Sequence, residues 1–370
     1  MTAASTRVPS AGIDGIACAA YEVPTDAPES DGTLEWDSTT IVVVEVEGGG
    51  ERGLGYTYGD RAVQTLIESK LADTVEGSDP MAPSAAWRAM RDALRNAGQP
   101  GVGAMAVSAV DIALWDLKAR LLGLPLADVL PRARRRVPIY GSGGFTSYSD
   151  ERLGEQLAGW AERGIPRVKM KVGREPARDA GRVAAARDAI GPDVELMVDA
   201  NGAYERKQAL LWAERFREHD VRYLEEPVSS DDLDGLRLVR DRAPAGMAVA
   251  AGEYGWDLPY FARMLDAGAV DILQADVTRC GGISALLRLD GICTARNVPF
   301  SAHCAPGVSA HACCAMESLL HLEYFHDHVR LEGMLFDGTL EPKEGYLEPD
   351  RSRPGLGLEL RRGDAERFAV

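Results

Sequence analysis

The sequence has little positive charge and no long hydrophobic run. Of its 370 residues, 41 are lysine or arginine and 57 are aspartate or glutamate, which gives a formal net charge of -16 at pH 7. Such an acidic chain does not attract nucleic acid or an anionic membrane, so we predict neither partner. No apolar stretch is long enough to cross a bilayer, and the opening residues MTAASTRVPSAGIDG do not have the charged-then-apolar pattern of a signal peptide. We therefore predict a cytoplasmic protein.

Two further patterns are missing from the chain. The six cysteines show no zinc-type spacing, and most of them lie in apolar surroundings, which favours reduced thiols in a protein core. They are Cys18, Cys280, Cys293, Cys304, Cys313 and Cys314. No glycine-rich dinucleotide-binding motif follows any predicted strand, which removes the main reason to expect an open, doubly wound sheet.

The organisation of the chain changes near residue 130. A length of 370 residues is too great for one small core and indicates two domains, or a barrel with an addition. Before this point, TTIVVVEVEGGGERGLGYTY predicts two strands of an antiparallel meander, and AVSAVDIALWDLKARLLG predicts a helix that ends at Gly123. We assign residues 1–130 to an α+β capping domain, 131–345 to a barrel, and 346–370 to a segment that returns toward the cap.

From Val137 onward, short apolar runs alternate with helical segments. The runs are VPIYGSG, RVKMKVG, VELMVDANG, VRYLEEP, MAVAAGE, VDILQADV, VPFSAHC and LLHLEYF. Eight strands that alternate with helices fit a parallel barrel better than an open sheet. We therefore predict an α/β fold: a (β/α)7β TIM-like barrel with an N-terminal α+β capping domain.

Ionisable residues stand at the carboxyl ends of nearly all these strands, and in a parallel barrel those ends form the rim where active sites are built. They are Lys169, Lys171, Asp199, Glu225, Glu226, Glu253, Asp276, His303 and Glu323. Any one of the acids can instead be the N-cap of the next helix, but carboxylates crowded on one rim without a cation would repel one another strongly. Asp199, Glu225 and Glu253 on three consecutive strands therefore predict an all-oxygen site for a hard divalent ion, and magnesium is the natural choice.

The run RVKMKVG places two lysines on one face of a predicted strand. Strand alternation sends Lys169 and Lys171 in the same direction, with attachment points about 6–7 Å apart. On an edge strand, both would be solvated groups that discourage aggregation. Beside a rim of carboxylates, they can be buried as charge partners.

Taken together, these motifs resemble the enolase superfamily, and its mandelate racemase subgroup in particular. The resemblance covers nearly the whole chain: SAVDIALWDLKARLLGLPLADVLP in the cap, KMK, VDANG, LEEP, AGE and LQADVTRCGG in the barrel, and RPGLGLEL near the end. Each short motif is a weak signal, whereas their order and spacing are specific. The predicted sixth strand carries no lysine, which disfavours the muconate-cycloisomerase and dipeptide-epimerase branch.

The resemblance implies a metal site and a base on one face of the substrate. It implies magnesium ligation by Asp199, Glu225 and Glu253, with Lys171 as the base and Lys169 helping to neutralise the substrate carboxylate. A free lysine has a pKa near 10.4, so Lys171 must be partly neutral to act as a base. We expect Lys169 and the metal ion to lower its pKa.

The resemblance also implies groups on the opposite face. Asp276 and His303 match an Asp–His dyad that supplies a base or acid there. Glu323 matches a protonated carboxyl group that hydrogen-bonds the substrate carboxylate as it becomes an enediolate. Asn201 is a predicted polar substrate contact beside the metal, although asparagine before glycine is also a common turn residue.

The implied chemistry begins with removal of the proton α to a carboxylate. The polar segment YEVPTDAPESDGTLEWDS corresponds to the region where such enzymes contact the distal end of the substrate, and it suits a hydroxyl-rich molecule. We therefore predict an acid-sugar dehydratase, in which His303 donates a proton to a departing β-hydroxyl. Trp36 in this segment and Tyr140 in the first barrel strand are predicted substrate contacts.

Three alternatives stay open at this point. Bases on both faces also permit racemisation or epimerisation of a 2-hydroxy acid or amino-acid derivative. The polar segment can equally be a mobile solvated lid that does not touch substrate. A non-catalytic binding protein on the same scaffold is a third alternative, although the complete set of repulsive site residues argues against it. We also predict a homo-oligomer, because the family often assembles through cap and barrel surfaces.

Overall fold

The computed structural model describes residues 12–370 of the chain. Residues 1–11, which hold most of the opening segment interpreted above as lacking a signal peptide, lie outside the described residues. Within residues 12–370, no helix combines the length and apolar character that a membrane crossing needs.

The first part of the described chain is an antiparallel sheet covered by helices. Strands β1 (Ile13–Ser30), β2 (Glu35–Gly48) and β3 (Glu51–Tyr58) pair in chain order. The helices are α1 (Ala62–Leu66), α2 (Ala72–Val75), α3 (Pro83–Ala93), α4 (Val102–Leu121) and α5 (Leu126–Val129), with a π-helical turn at Ile67–Leu71. Helix α4 is largely buried and packs on β2 and β3. Gly123 follows it with φ 65° and so provides the predicted helix end.

The polar segment YEVPTDAPESDGTLEWDS lies outside the strands that the sequence predicts for the cap, but in the structure it is mostly strand. Most of it belongs to β1 and β2, and only residues 31–34 connect the two strands. The pairing register shifts between Pro24 and Glu29, where Pro24 and Pro28 have no N–H group to donate to a ladder. The prolines and acids interrupt the apolar alternation, so the cap sheet gains a strand that the pattern does not indicate.

The second part is a closed barrel of eight parallel strands, as predicted. The strands are β4 (Val137–Gly143), β5 (Arg167–Lys171), β6 (Glu195–Asp199), β7 (Val221–Glu225), β8 (Ala248–Ala251), β9 (Ile272–Asp276), β10 (Phe300–His303) and β11 (Leu319–Phe325). Each pairs with the next, and β11 pairs with β4 to close the barrel. The connecting helices are α6 (Asp150–Glu162), α7 (Pro176–Ile190), α8 (Arg206–Arg217), α9 (Leu233–Arg242), α10 (Leu258–Asp266), α11 (Gly282–Arg296) and α12 (Pro306–Cys313), and α13 (His326–Leu335) follows β11.

The end of the chain touches both parts. The remaining elements are β12 (Phe336–Asp337), β13 (Tyr346–Leu347), β14 (Glu359–Leu360), α14 (Arg362–Ala365) and a 3₁₀ turn at Glu366–Phe368. Strand β13 pairs antiparallel with β4. Further on, the amide of Leu126 donates to the carbonyl of Gly355 at 2.7 Å. The amide of Val370 donates to the carbonyl of Ala20 at 3.2 Å. The last residues therefore connect barrel and cap.

Candidate active site

Strand register brings three predicted site residues side by side. Lys171 is the register partner of Asp199, and Asp199 is the partner of Glu225, on neighbouring strands β5, β6 and β7. Because neighbouring strands lie about 4.8 Å apart, these side chains form one row across the carboxyl end of the barrel. Glu253 lies two residues beyond β8. Ionisable residues that the sequence places at the carboxyl ends of these strands therefore lie close together in the structure.

Three buried carboxylates form a compact cluster. Asp199, Glu225 and Glu253 are at most 4% exposed, and one potential ligand atom from each lies within 4.8 Å of the others. Oε2 of Glu225 is buried and has no hydrogen-bond partner among residues 12–370. Burial, followed by the charge of Asp199, raises the pKa of Glu225 well above its ordinary value. An all-oxygen set with an unsatisfied buried oxygen fits a hard divalent cation such as magnesium.

The two lysines are buried charge partners of these acids, so the alternative of solvated edge-strand lysines is wrong. Lys169 Nζ lies 2.5 Å from Glu225 Oε1, 2.9 Å from Glu323 Oε1 and 3.6 Å from Asp199 Oδ2. Lys171 Nζ lies 2.5 Å from Asp199 Oδ2. Lys169 has no exposed surface, and Lys171 is 5% exposed.

The pairing changes the expectation for the charge of Lys171. Burial alone would lower its pKa, but the Asp199 carboxylate outweighs burial and the repulsion from Lys169, and raises the pKa above the ordinary value. The partly neutral lysine expected from the sequence is therefore not found in this arrangement. Lys169 does act in the expected direction, but one carboxylate at 2.5 Å is the stronger neighbour.

On the other side of the carboxylates, Asp276 and His303 form the predicted dyad. Asp276 Oδ2 accepts a hydrogen bond from His303 Nδ1 at 2.8 Å, and these residues are register partners on β9 and β10. The backbone and hydroxyl of Thr278 both donate to the other oxygen of Asp276 at 2.7 Å. Asp276 is thereby fixed from two sides, and His303 keeps its proton on Nδ1.

The second ring nitrogen of His303, Nε2, faces the centre of the cluster. His303 Nε2 lies 3.1 Å from Glu253 Oε2 and 3.4 Å from Glu323 Oε2. Burial opposes protonation, but Cys304, Glu253 and Glu323 raise the pKa of His303 well above its ordinary value. His303 is therefore an acid in the resting site, able to donate a proton.

Glu323 is not the neutral acid expected from the sequence. Burial would raise its pKa, but Lys169 at 2.9 Å and then His303 lower the pKa below its ordinary value. The structure therefore favours a carboxylate in the resting site, because two cationic neighbours stabilise the charged form.

The three predicted substrate contacts lie in different surroundings. Asn201 is 7% exposed, and its backbone N–H donates to Asp199 Oδ1 at 2.9 Å. Its side-chain Oδ1 is buried with no partner among the residues that the structure describes. Trp36 donates from Nε1 to Glu29 at 2.9 Å. Tyr140 has no exposed surface, and its ring centre is 5.3 Å from Lys169 Nζ. Like Lys169, Tyr140 is enclosed by the barrel interior, and its contact with substrate stays a prediction.

Two residues at the site received no role from the sequence. Glu226 is 1% exposed, and its φ is 39°. Within the described part of the chain, its two carboxylate oxygens have no hydrogen-bond partner. The doubled acid of LEEP is the signal that pointed to it. Cys304 places its thiol against His303 and Glu323, and no spacing pattern indicated that contact, because it depends on the turn after β10.

Comparison with known proteins defines the class. Residues 16–131 match the family model for the mandelate racemase / muconate lactonizing enzyme N-terminal domain, and residues 152–365 match the enolase C-terminal domain-like model. Because the second match alone spans more than half of the chain, the protein belongs to the mandelate racemase / muconate lactonizing enzyme family of the enolase superfamily.

Individual relatives are similar over nearly their full length. A mandelate racemase/muconate lactonizing enzyme-like protein from Rubrobacter xylanophilus is 68% identical, with a TM-score of 0.96 over 97% of this chain and 100% of its own. D-galactarolactone cycloisomerase from Agrobacterium fabrum is 31% identical over 93% of this chain and 95% of its own. L-talarate dehydratase from Polaromonas sp. JS666, solved with Mg and L-glucarate, is 29% identical, with a TM-score of 0.88 over 98% of each chain.

Proposed function

We propose that the protein is a magnesium-dependent acid-sugar dehydratase. It removes the proton α to a carboxylate and eliminates the β-hydroxyl group as water. The observation that carries this proposal is the arrangement of Lys171 and His303 on either side of a buried three-carboxylate cluster. The similarity to a dehydratase that binds magnesium and an acid sugar supports the same reaction.

The oxygen atoms of Asp199, Glu225 and Glu253 would hold the cation. When bound, magnesium supplies positive charge that polarises the substrate carboxylate and stabilises the second negative charge that develops on it. Glu226, with two unpartnered oxygens at the same strand end, adds a hydrogen-bond acceptor beside this cluster.

Lys171 takes the α proton. In the resting site its ammonium group is paired with Asp199. A cation bound to Asp199 would share its charge and weaken that pairing, and the neighbouring Lys169 would then favour the neutral amine that takes the proton. Lys169 has a different role, because it stays charged between Glu225 and Glu323 and attracts the substrate carboxylate.

His303 completes the elimination. It is protonated in the resting site, and Asp276 holds its Nδ1 proton, so Nε2 is the atom that donates. As the Cβ–O bond breaks, this proton passes to the departing hydroxyl group, and water leaves. The enol that remains becomes a 2-keto acid. No oxidant or further reactant is required.

Glu323 and Asn201 complete the contacts to the substrate. A substrate carboxylate next to Glu323 adds a second negative charge, which raises the pKa of Glu323 and favours proton uptake on binding. Asn201 Oδ1 is available as an acceptor for a substrate hydroxyl group. Tyr140 supports Lys169 from within the barrel. Assembly as a homo-oligomer and a cytoplasmic location stay predictions.

Racemisation or epimerisation is the second candidate. It is favoured by the same pair of bases, because a proton removed by Lys171 can be replaced by His303 on the opposite face. The difference lies in the substrate: a good leaving group at the β carbon leads to elimination, and its absence leads to reprotonation.

The test is a screen of mono- and diacid sugars, L-glucarate included, in D2O with magnesium. Formation of a 2-keto acid and deuterium uptake at the α carbon are measured together. Keto acid formation is the expected result. Deuterium uptake without loss of water would replace the dehydratase with a racemase or epimerase, and neither signal across the library would contradict acid-sugar dehydration.

A further inference from the structure

A thiol, an imidazole and a carboxylate meet beside the proposed magnesium ligands. Cys304 Sγ lies 3.3 Å from His303 Nε2 and 3.2 Å from Glu323 Oε2. His303 Nε2 lies 3.4 Å from the same Glu323 oxygen. Sulfur, nitrogen and oxygen therefore form a nearly equilateral triangle. Cys304, His303 and Asp276 also each offer a potential metal-ligand atom within 4.8 Å of the other two.

This triangle has the dimensions of one face of a tetrahedral zinc site. Zn–S, Zn–N and Zn–O bonds of about 2.3, 2.0–2.1 and 2.0–2.2 Å put tetrahedral ligand atoms about 3.3–3.7 Å apart. The three edges here, 3.2, 3.3 and 3.4 Å, agree within a few tenths of an ångström. Magnesium, in contrast, prefers oxygen ligands in octahedral geometry, so this set discriminates against it.

The surroundings hold the three ligands in place. Asp276 fixes the His303 ring through Nδ1 and leaves Nε2 for a metal. The Cys304 backbone has φ 50°, its amide donates to Glu323 Oε2 at 3.3 Å, and its carbonyl accepts from the Ser309 hydroxyl at 2.8 Å. The thiol is thus directed by a fixed turn, and a thiolate plus a carboxylate neutralise a divalent ion.

We infer that Cys304, His303 and Glu323 form a second, thiophilic metal site that takes Zn²⁺ and thereby blocks the active site. Zinc displaces the thiol proton of Cys304 and the proton on Nε2 of His303, both of which pass to solvent, and so occupies the atom that donates in the proposed elimination. Binding depends only on the three side chains. The inhibition that follows rests on the proposed function.

The binding test uses the full chain saturated with magnesium and titrated with Cd²⁺, a zinc substitute whose thiolate complex absorbs in the ultraviolet. We expect one thiolate–cadmium band per chain. Cys304→Ser and Cys304→Ala should both lose the band, while Cys18→Ser should retain it. Cys18 is the matched control, because it is the one cysteine that is not fully buried in the described chain. Circular dichroism and magnesium binding establish that each variant is folded.

The outcomes separate the inference from its alternatives. A band that persists in both folded Cys304 variants, or no band in the wild-type protein, overturns the site. In the inhibition arm, Zn²⁺ should be at least about 10-fold more potent against wild type than against Cys304→Ser, each compared with its own uninhibited rate. Equal potency would mean that zinc only replaces magnesium at the oxygen site, and would overturn the inference. The cadmium band does not depend on turnover, so a wrong substrate assignment leaves the binding result interpretable.

Discussion

At the scale of single residues, Gly252 determines where Glu253 lies. Its φ is 135°, and a Cβ atom placed there would lie 2.1 Å from the carbonyl oxygen of Gln274. A side chain would have to displace the backbone of the neighbouring strand, so only glycine fits the turn after β8. The glycine of the AGE motif is therefore a geometric requirement for the third carboxylate of the cluster.

Gly252→Ala should consequently damage both stability and metal binding. We expect the free energy of unfolding to fall by about 2 kcal/mol or more, because a strained backbone and a steric clash are combined, and magnesium affinity to fall because Glu253 is displaced. Urea denaturation and calorimetric titration with magnesium measure the two effects. Gly159→Ala is the control: Gly159 lies in helix α6 with no atom within 4 Å of a Cβ position, so the change should stabilise the protein by about 0.5–1 kcal/mol. A Gly252→Ala variant with unchanged magnesium affinity would contradict this account.

At the scale of elements, cap helix α4 holds the start of barrel helix α11. Ser108 Oγ accepts from the amide of Gly281 at 2.9 Å, and Asp111 Oδ2 accepts from the amide of Ser284 at 2.8 Å. Trp115 donates from Nε1 to the Ser284 hydroxyl at 2.9 Å. Because this loop follows the strand that ends in Asp276, the cap supports the dyad from outside the barrel.

The carboxyl group of Asp111 makes this contact sensitive to pH. Burial raises its pKa from 3.8 to about 7, although hydrogen bonds from Ser284 oppose the shift. The folded state therefore binds the proton more tightly than the unfolded chain, and the stability that this proton contributes is lost as pH rises from about 4 to 7.

Asp111→Asn should remove this loss while keeping an acceptor for the Ser284 amide. Between pH 5 and 8, wild type should lose roughly 1–3 kcal/mol more stability than the variant, since one pKa unit corresponds to about 1.4 kcal/mol. Urea denaturation at both pH values measures the difference between the two proteins, so other buried acids cancel. Parallel pH profiles for the two proteins would contradict a protonated Asp111.

At the scale of the whole molecule, periodicity was sufficient to predict the barrel. All eight apolar runs became barrel strands, because buried parallel strands are short and apolar and are separated by helices of similar length. The cap strand β1 was not predicted, because its prolines and acids conceal the alternation. The pattern of apolar residues along the sequence therefore predicts strands that are buried on both faces better than it predicts an irregular strand of the cap.

The sequence was sufficient to predict which ionisable residues lie together at the strand ends, but not their charges. The chain has only six lysines, and two of them stand in KMK, so their placement among strand-end acids was a strong signal. Distances decide the rest: Asp199 at 2.5 Å raises the pKa of Lys171, and Lys169 at 2.9 Å lowers the pKa of Glu323. Cys304 reaches the site through a left-handed turn. None of these three facts can be derived from spacing along the chain.

The measurement that tests the central claim most directly is release of deuterium to solvent from the acid sugar identified by the screen, prepared with deuterium at its α carbon. Wild type with magnesium, wild type with a chelator, Lys171→Met and Lys207→Met are compared, and Lys207 is an exposed lysine on α8 that serves as the control. We expect release in wild type and Lys207→Met, none with the chelator, and a rate at least about 100-fold lower in Lys171→Met, as for loss of a general base. A folded, magnesium-binding Lys171→Met variant that releases deuterium at the wild-type rate would contradict the account.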